Sequence, residues 1–246
     1  MAAATGIISQ ARGSAEHRFF LGMTIALAVV VFVGFSRSFF LSPLFPGWPA
    51  PPERFFALHG TAFAAWFALL LVQASLVSAG QLAWHRRLGV AGACLAAVMV
   101  VLGTRGALIA AGRSTGFVGV AVPPLSFLAI PLFSMVLFAV FVTLAILKRA
   151  DRQSHKRYML IASVSMIAAA FARWPVVRAG GPLAFFACTD LFLVALLVWD
   201  LRSRGRVHPV TAWAGGATLL SEPIQLAVAF TPAWLGFARW AIGLVG

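Results

Sequence analysis

Apolar runs about one bilayer long, with a histidine at one end and an arginine at the other, recur three times in this chain. His17 leads to Arg37 and His85 to Arg105, each twenty residues on, and His155 leads to Arg173, eighteen on. A helix rises about 1.5 Å per residue, so each interval covers roughly 27 to 30 Å, the thickness of a hydrocarbon core. The spacing predicts membrane-spanning helices whose polar residues sit where the helices meet water. Composition agrees. Of the 246 residues, 61% are hydrophobic and 10% charged, whereas a soluble domain is apolar over roughly 45 to 50% of its length.

Charge, proline and glycine bound seven such runs, at roughly 18–36, 55–79, 88–111, 125–147, 158–173, 183–200 and 210–230. The expectation is an all-α polytopic membrane protein, a single seven-helix transmembrane domain over residues 1–246. The fifth run is the shortest. The segment before His17 is small and polar, and the apolar run after it lacks an Ala-x-Ala cleavage site, so it reads as an uncleaved first helix. From residue 210 to the end, an unbroken helix would reach about 55 Å. A break near Pro232 and an interfacial tail over 231–246 fit better.

The net charge of +13 does not point to nucleic acid, because no basic run is long enough and the charges fall in short clusters between apolar segments. Topology accounts for them. Twelve of the nineteen Lys and Arg fall on the face that carries Arg18, Arg86, Lys148, Arg157 and Arg204. That face is expected to be cytoplasmic, with the N-terminus inside and the C-terminus in the periplasm. The opposite face carries the loop from Arg37 to Arg54, where Pro43, Pro46, Pro49, Pro51 and Pro52 alternate with Phe39, Phe40, Phe45 and Trp48. It reads equally as an interfacial cap or a Pro-rich connector. Cys94 and Cys188 lie inside apolar runs at different depths, which disfavours a disulfide.

Charge at membrane depth costs at least a few kcal/mol, so ionisable residues there tend to face a cavity or one another. Asp190 falls about 12 Å into the sixth run and Glu222 about 20 Å into the seventh, from opposite faces, which gives them similar outer-half depths. His59 lies about a turn into the second run, and Arg105 and Arg173 close the third and fifth. Gln225 lies nearly one turn beyond Glu222, and Pro223 loosens the backbone between them. Two readings of this layer stand side by side. Asp190 with Arg173 and Glu222 with Arg105 can be ion pairs tying helices together, with His59 bonded between them. Alternatively the six residues His59, Arg105, Arg173, Asp190, Glu222 and Gln225 line a pocket whose surplus of arginine suits an anionic or lipid-like ligand such as a lipid headgroup, quinone or carboxylate.

A second row, His17, His85, His155 and His208, lies at the cytoplasmic mouths of the odd-numbered helices. Four imidazoles at one depth suit a metal or haem b, with Arg86, Arg87, Lys156 and Arg157 near for propionates. No HxxxH pair is present and a basic neighbourhood opposes a cation, so interfacial histidines that cap loops are the plainer reading. A retinal protein is excluded, since both lysines, Lys148 and Lys156, lie in one loop. Five scattered histidines cannot build di-iron boxes, and no Walker, Rossmann or GxSxG motif occurs.

Leu58-His59-Gly60 with Trp66, His85-Arg86-Arg87-Leu88-Gly89 and His155-Lys156-Arg157-Tyr158-Met159 resemble segments of uncharacterised bacterial polytopic inner-membrane proteins. The resemblance covers most of residues 55–210. It implies a bacterial inner membrane and no particular activity. Three functional classes follow: a protein that binds or moves a small anionic or lipid-like ligand, a haem- or quinone-linked electron-transfer protein, and an accessory subunit docked on a larger membrane complex.

Overall fold

The computed structural model describes residues 2–48, 54–117, 120 and 122–245, with side chains from Ser14 onward. Pro49, Pro51 and Pro52 of the aromatic loop lie outside the described residues. Among those described the chain is helical throughout, without a strand. Helix α1 (Ala2–Phe35) runs on through a π-helical turn (Ser36–Phe40) and is followed by α2 (Arg54–Ser78) and α3 (Leu82–Gly112). After a short α4 (Pro124–Phe127) come α5 (Ala129–Leu147), α6 (Arg152–Val164), α7 (Ala168–Phe171), α8 (Pro175–Ala179) and α9 (Gly181–Arg204). A π-helical turn (Thr211–Gly215) leads into α10 (Gly216–Val228), and α11 (Pro232–Ile242) ends the chain.

Among the described residues, five segments are long and apolar enough to cross a membrane: Ser14–Phe40, Arg54–Ser78, Leu82–Gly112, Pro124–Leu147 and Gly181–Arg204. These make the chain a multi-pass membrane protein by length and composition. The other two expected runs are interrupted. Between α6 and α7 the hydroxyls of Ser163 and Ser165 donate to the carbonyls of Met159 and Ala162 at 2.9 and 2.8 Å. Such bonds compete with the helix ladder, which opens at residues 165–167. Protein surrounds this pillar: Leu160, Ile161, Ala162, Val164 and Ile167 are all buried, as is the guanidinium of Arg157. A helix enclosed by other helices need not present a continuous apolar face to lipid.

Proline sets the remaining breaks. Pro131, expected as a kink, sits in the first turn of α5 and has no N–H for the carbonyl of Phe127, where α4 ends. Pro232 opens α11, whose first turn is capped by the Thr231 hydroxyl accepting from the Trp234 N–H at 3.2 Å. Trp234 Nε1 donates to the Leu125 carbonyl at 2.8 Å, fastening α11 to α4. Ala238 packs with Ala107, Ala111 and Leu128, so the tail helix rests on the bundle.

Helix α2 packs against both α1 and α3, α5 bridges α3 and α6, α7 sits between α1 and α9, and α10 lies on α5. The core runs the length of the bundle through Leu27, Met99, Phe138, Phe141 and Leu196, all essentially inaccessible. Trp66 meets Phe138 edge to face at 5.0 Å and donates from Nε1 to the Ser163 hydroxyl at 3.1 Å, joining α2, α5 and α6. Gly34 lets two main chains approach closely, since a Cβ there would lie 2.5 Å from the Ala170 carbonyl oxygen.

Candidate functional site

Two ends of the bundle carry polar chemistry, and they are built differently. At one end Arg157 and Asp200, both 0% exposed, form an ion pair between α6 and α9. Arg157 Nη1 also donates to the Gln153 carbonyl at 3.0 Å and to Gln153 Oε1 at 2.7 Å. Asp200 Oδ2 accepts from the His208 N–H at 3.1 Å and from the Thr211 hydroxyl at 2.6 Å. Glu16 extends the network, pairing with Lys156 at 2.5 Å and accepting from Gln153 Nε2 at 3.3 Å. His208 Nδ1 accepts from the Val210 N–H at 3.1 Å. Burial, reinforced by the positive charges of Arg157 and Arg204, holds the His208 imidazole below its ordinary value. This end is a closed lock of paired groups.

At the other end lies a cavity of about 560 Å³ enclosed by α1, α2, α3, α4, α5 and α7 and roofed by the turn at Ser36–Phe40. Its walls are largely aromatic, with Phe35, Phe63, Phe127 and Phe185 among them, and its polar groups include His59, Arg54, Arg113 and Arg173. No described carboxylate lines it. The volume falls within the roughly 300–1,000 Å³ range of small-molecule sites.

Local structure fixes His59. Gly106 lies opposite it on α3, where a Cβ would meet His59 Nδ1 at 3.1 Å. The missing side chain lets Nδ1 reach the Leu102 carbonyl at 3.2 Å. A carbonyl only accepts, so Nδ1 carries the hydrogen and Nε2 keeps its lone pair in the neutral ring. The imidazole also stacks on Phe63 at 4.3 Å with 20° between the planes. Arg173 donates from Nη1 to the Ala169 carbonyl at 2.6 Å and lays its guanidinium over Phe35 at 4.1 Å, leaving further N–H groups for a ligand. Arg113 lies over Phe56 at 4.3 Å. The site thus offers an imidazole acceptor and guanidinium donors inside an aromatic enclosure, the chemistry of an anionic or carbonyl-bearing head with an apolar body.

The six residues expected to converge are divided into three places. His59 and Arg173 line the cavity. Arg105, one position before Gly106 and therefore about 100° round the helix, is exposed over Phe55 at 5.7 Å beside a shallow groove that includes Leu244 and Val245. Asp190 and Glu222 face one another at hydrogen-bonding reach between α9 and α10. Neither Asp190 with Arg173 nor Glu222 with Arg105 forms an ion pair among the described residues. A bond between two carboxyls requires a shared proton. Gln225 is buried, its Nε2 donating to the Ser221 hydroxyl at 3.0 Å while Oε1 has no partner. Equal depth along separate helices placed these groups in one layer but said nothing of which way round each helix they point.

Of the four histidines at the Arg157 end, His17 is exposed, His208 belongs to the Asp200 network, and His85 and His155 adjoin, with ring centroids 6.2 Å apart. Three or more His, Cys, Asp or Glu able to hold one metal do not gather among the described residues. Cys94 and Cys188 are free thiols.

Sequence reasoning missed Arg54 and Arg113 in the cavity and the Arg157–Asp200 pair. One signal for the cavity was present: Gly103, Gly106, Ala107 and Ala110 follow the 3, 4, 7 spacing of one helix face, and all four line it. No protein-family model matches the chain, and no curated protein or solved structure matches it.

Proposed function

We propose that this chain is a seven-crossing protein of a bacterial inner membrane, N-terminus cytoplasmic and C-terminus periplasmic, that binds or moves a small anionic or lipid-like ligand in the cavity beside His59. The observation that carries this reading is the cavity's composition: Arg54 and Arg173 with His59, set among phenylalanines without a described carboxylate to answer them. A guanidinium held at membrane depth without an acid is costly, and a ligand that supplies negative charge or a carbonyl oxygen relieves that cost. The excess of Lys and Arg at the Arg157 end supports a cytoplasmic position for that end, and with it a position for the cavity in the outer half of the bilayer. Lipid headgroups, quinones and carboxylates all carry such an oxygen.

The test is thermal unfolding of the purified full chain in mild detergent, with anionic phospholipid, quinone or a fatty carboxylate added singly. One of these should raise the midpoint in wild type, and Arg173→Gln should weaken its binding about 10- to 100-fold, the loss of one charge-assisted hydrogen bond. A midpoint that none of the three moves overturns the reading.

A further inference from the structure

His85, in the first turn of α3, and His155, in the first turn of α6, come together at the Arg157 end of the bundle with their rings nearly perpendicular, at 88°. His155 Nδ1 donates to the Ala145 carbonyl at 2.8 Å, which leaves Nε2 with a bare lone pair and no hydrogen-bond partner among the described residues. His85 Nδ1 is buried and has no hydrogen-bond partner among the described residues. A buried imidazole nitrogen without a partner forfeits the hydrogen bond it would have in water. The Gln73 side chain lies over Gly89, one turn beyond His85, and its Oε1 is likewise buried and unpartnered.

We propose that His85 and His155 form a metal site in which both imidazoles bind one centre from opposite sides. Two metal–nitrogen bonds of about 2.0–2.1 Å plus the half-widths of two imidazole rings span roughly 6 Å, which matches the 6.2 Å between centroids. A tetrahedral ion would draw the rings closer together than a linear arrangement does. Histidines that ligate a metal commonly bond a carbonyl through their other ring nitrogen, as His155 does here. Charge narrows the metal further. Arg86 and Arg87 follow His85 directly and Arg87 rests on Trp84 at 5.4 Å, so a bare divalent ion meets repulsion. A centre of low net charge that takes two trans imidazoles fits: a monovalent copper ion, or the iron of a haem, whose porphyrin already cancels two charges.

The full chain, purified from haem- and copper-replete cells, gives the first arm. A visible spectrum with the sharp bands of a bis-imidazole haem, lost in both His85→Ala and His155→Ala, identifies haem iron. In the second arm the colourless protein is titrated with Cu(I) against a chromophoric chelator. Wild type should take one ion, each single variant should lose at least tenfold in affinity, His85→Met should retain part of it, and His17→Ala should behave as wild type. Helical circular dichroism and elution volume, unchanged in the variants, separate loss of a ligand from loss of the fold. A preparation without haem bands that binds Cu(I) no better than the His85→Ala/His155→Ala double variant overturns the proposal.

Discussion

The two ends of this bundle use arginine in opposite ways. Arg157 is sealed from solvent and answered on every side, by Asp200 and by both oxygens of Gln153. Arg173 borders an open volume with only a carbonyl of its own helix and the face of Phe35 against it. A buried pair whose remaining oxygens are also occupied holds helices in register and leaves nothing for a ligand. Cations around a cavity leave bonding capacity unspent. The contrast separates scaffold from site more clearly than burial alone, since both arginines lie among aromatic rings.

The sharpest way to break this comparison is to remove Asp200. Asp200→Ala strands a buried guanidinium and takes the acceptor from the His208 N–H and the Thr211 hydroxyl, so a cost of about 3–5 kcal/mol is expected in detergent unfolding. The double replacement Arg157→Met/Asp200→Leu should recover most of it, because no charge is then left unanswered. A single variant as stable as wild type would show that the pair is ornamental. Gly34→Val comes next. Its Cβ would press on the main chain of Ala170, which cannot turn aside as a side chain can, and the cost should be about 1–3 kcal/mol. Gly22→Ala, where nothing lies within 4 Å, is the matched control and should cost nothing measurable. At the cavity, Arg173→Gln should change stability by less than about 1 kcal/mol, since the variant gives up only the stacking of the guanidinium on Phe35 and one exposed bond to the Ala169 carbonyl. A larger drop there would make Arg173 part of the scaffold.

Much of the helical layout was legible because bilayer thickness imposes a length on apolar runs, and Pro131 and Pro232 mark breaks by chemistry that a sequence displays directly. Helix rotation was not legible. Arg105 and Gly106 are neighbours in the chain, yet one faces outward and the other opens the way for His59. Asp190 and Glu222 were placed at the right relative depth, but whether acid meets arginine or acid meets acid depends on the angle at which α9 and α10 present them. The fifth run stood out as the shortest, and polar residues lie in it or at its edge. Those same residues, Arg157, Ser163 and Ser165, are the ones a pillar enclosed by other helices can accommodate.

The last test concerns the loop before that pillar. Asp151 caps α6 from an exposed position, its Oδ1 accepting from the Gln153 N–H at 2.9 Å and its Oδ2 from the Ser154 hydroxyl at 2.5 Å. The Ser154 hydroxyl, helped by the backbone N–H groups, holds this carboxyl below the usual carboxylate range. A group depressed in the folded state stabilises it above the unfolded value and ceases to do so as pH falls through the folded one. Asp151→Ala should therefore cost about 1 kcal/mol at neutral pH. The difference from wild type should shrink as the buffer is taken below the carboxylate range, which unfolding midpoints at two pH values will read. If Asp151→Ala proves as costly as Asp200→Ala, then α6 is held by its cap, and the division between an enclosed pillar and an open site fails at its first helix.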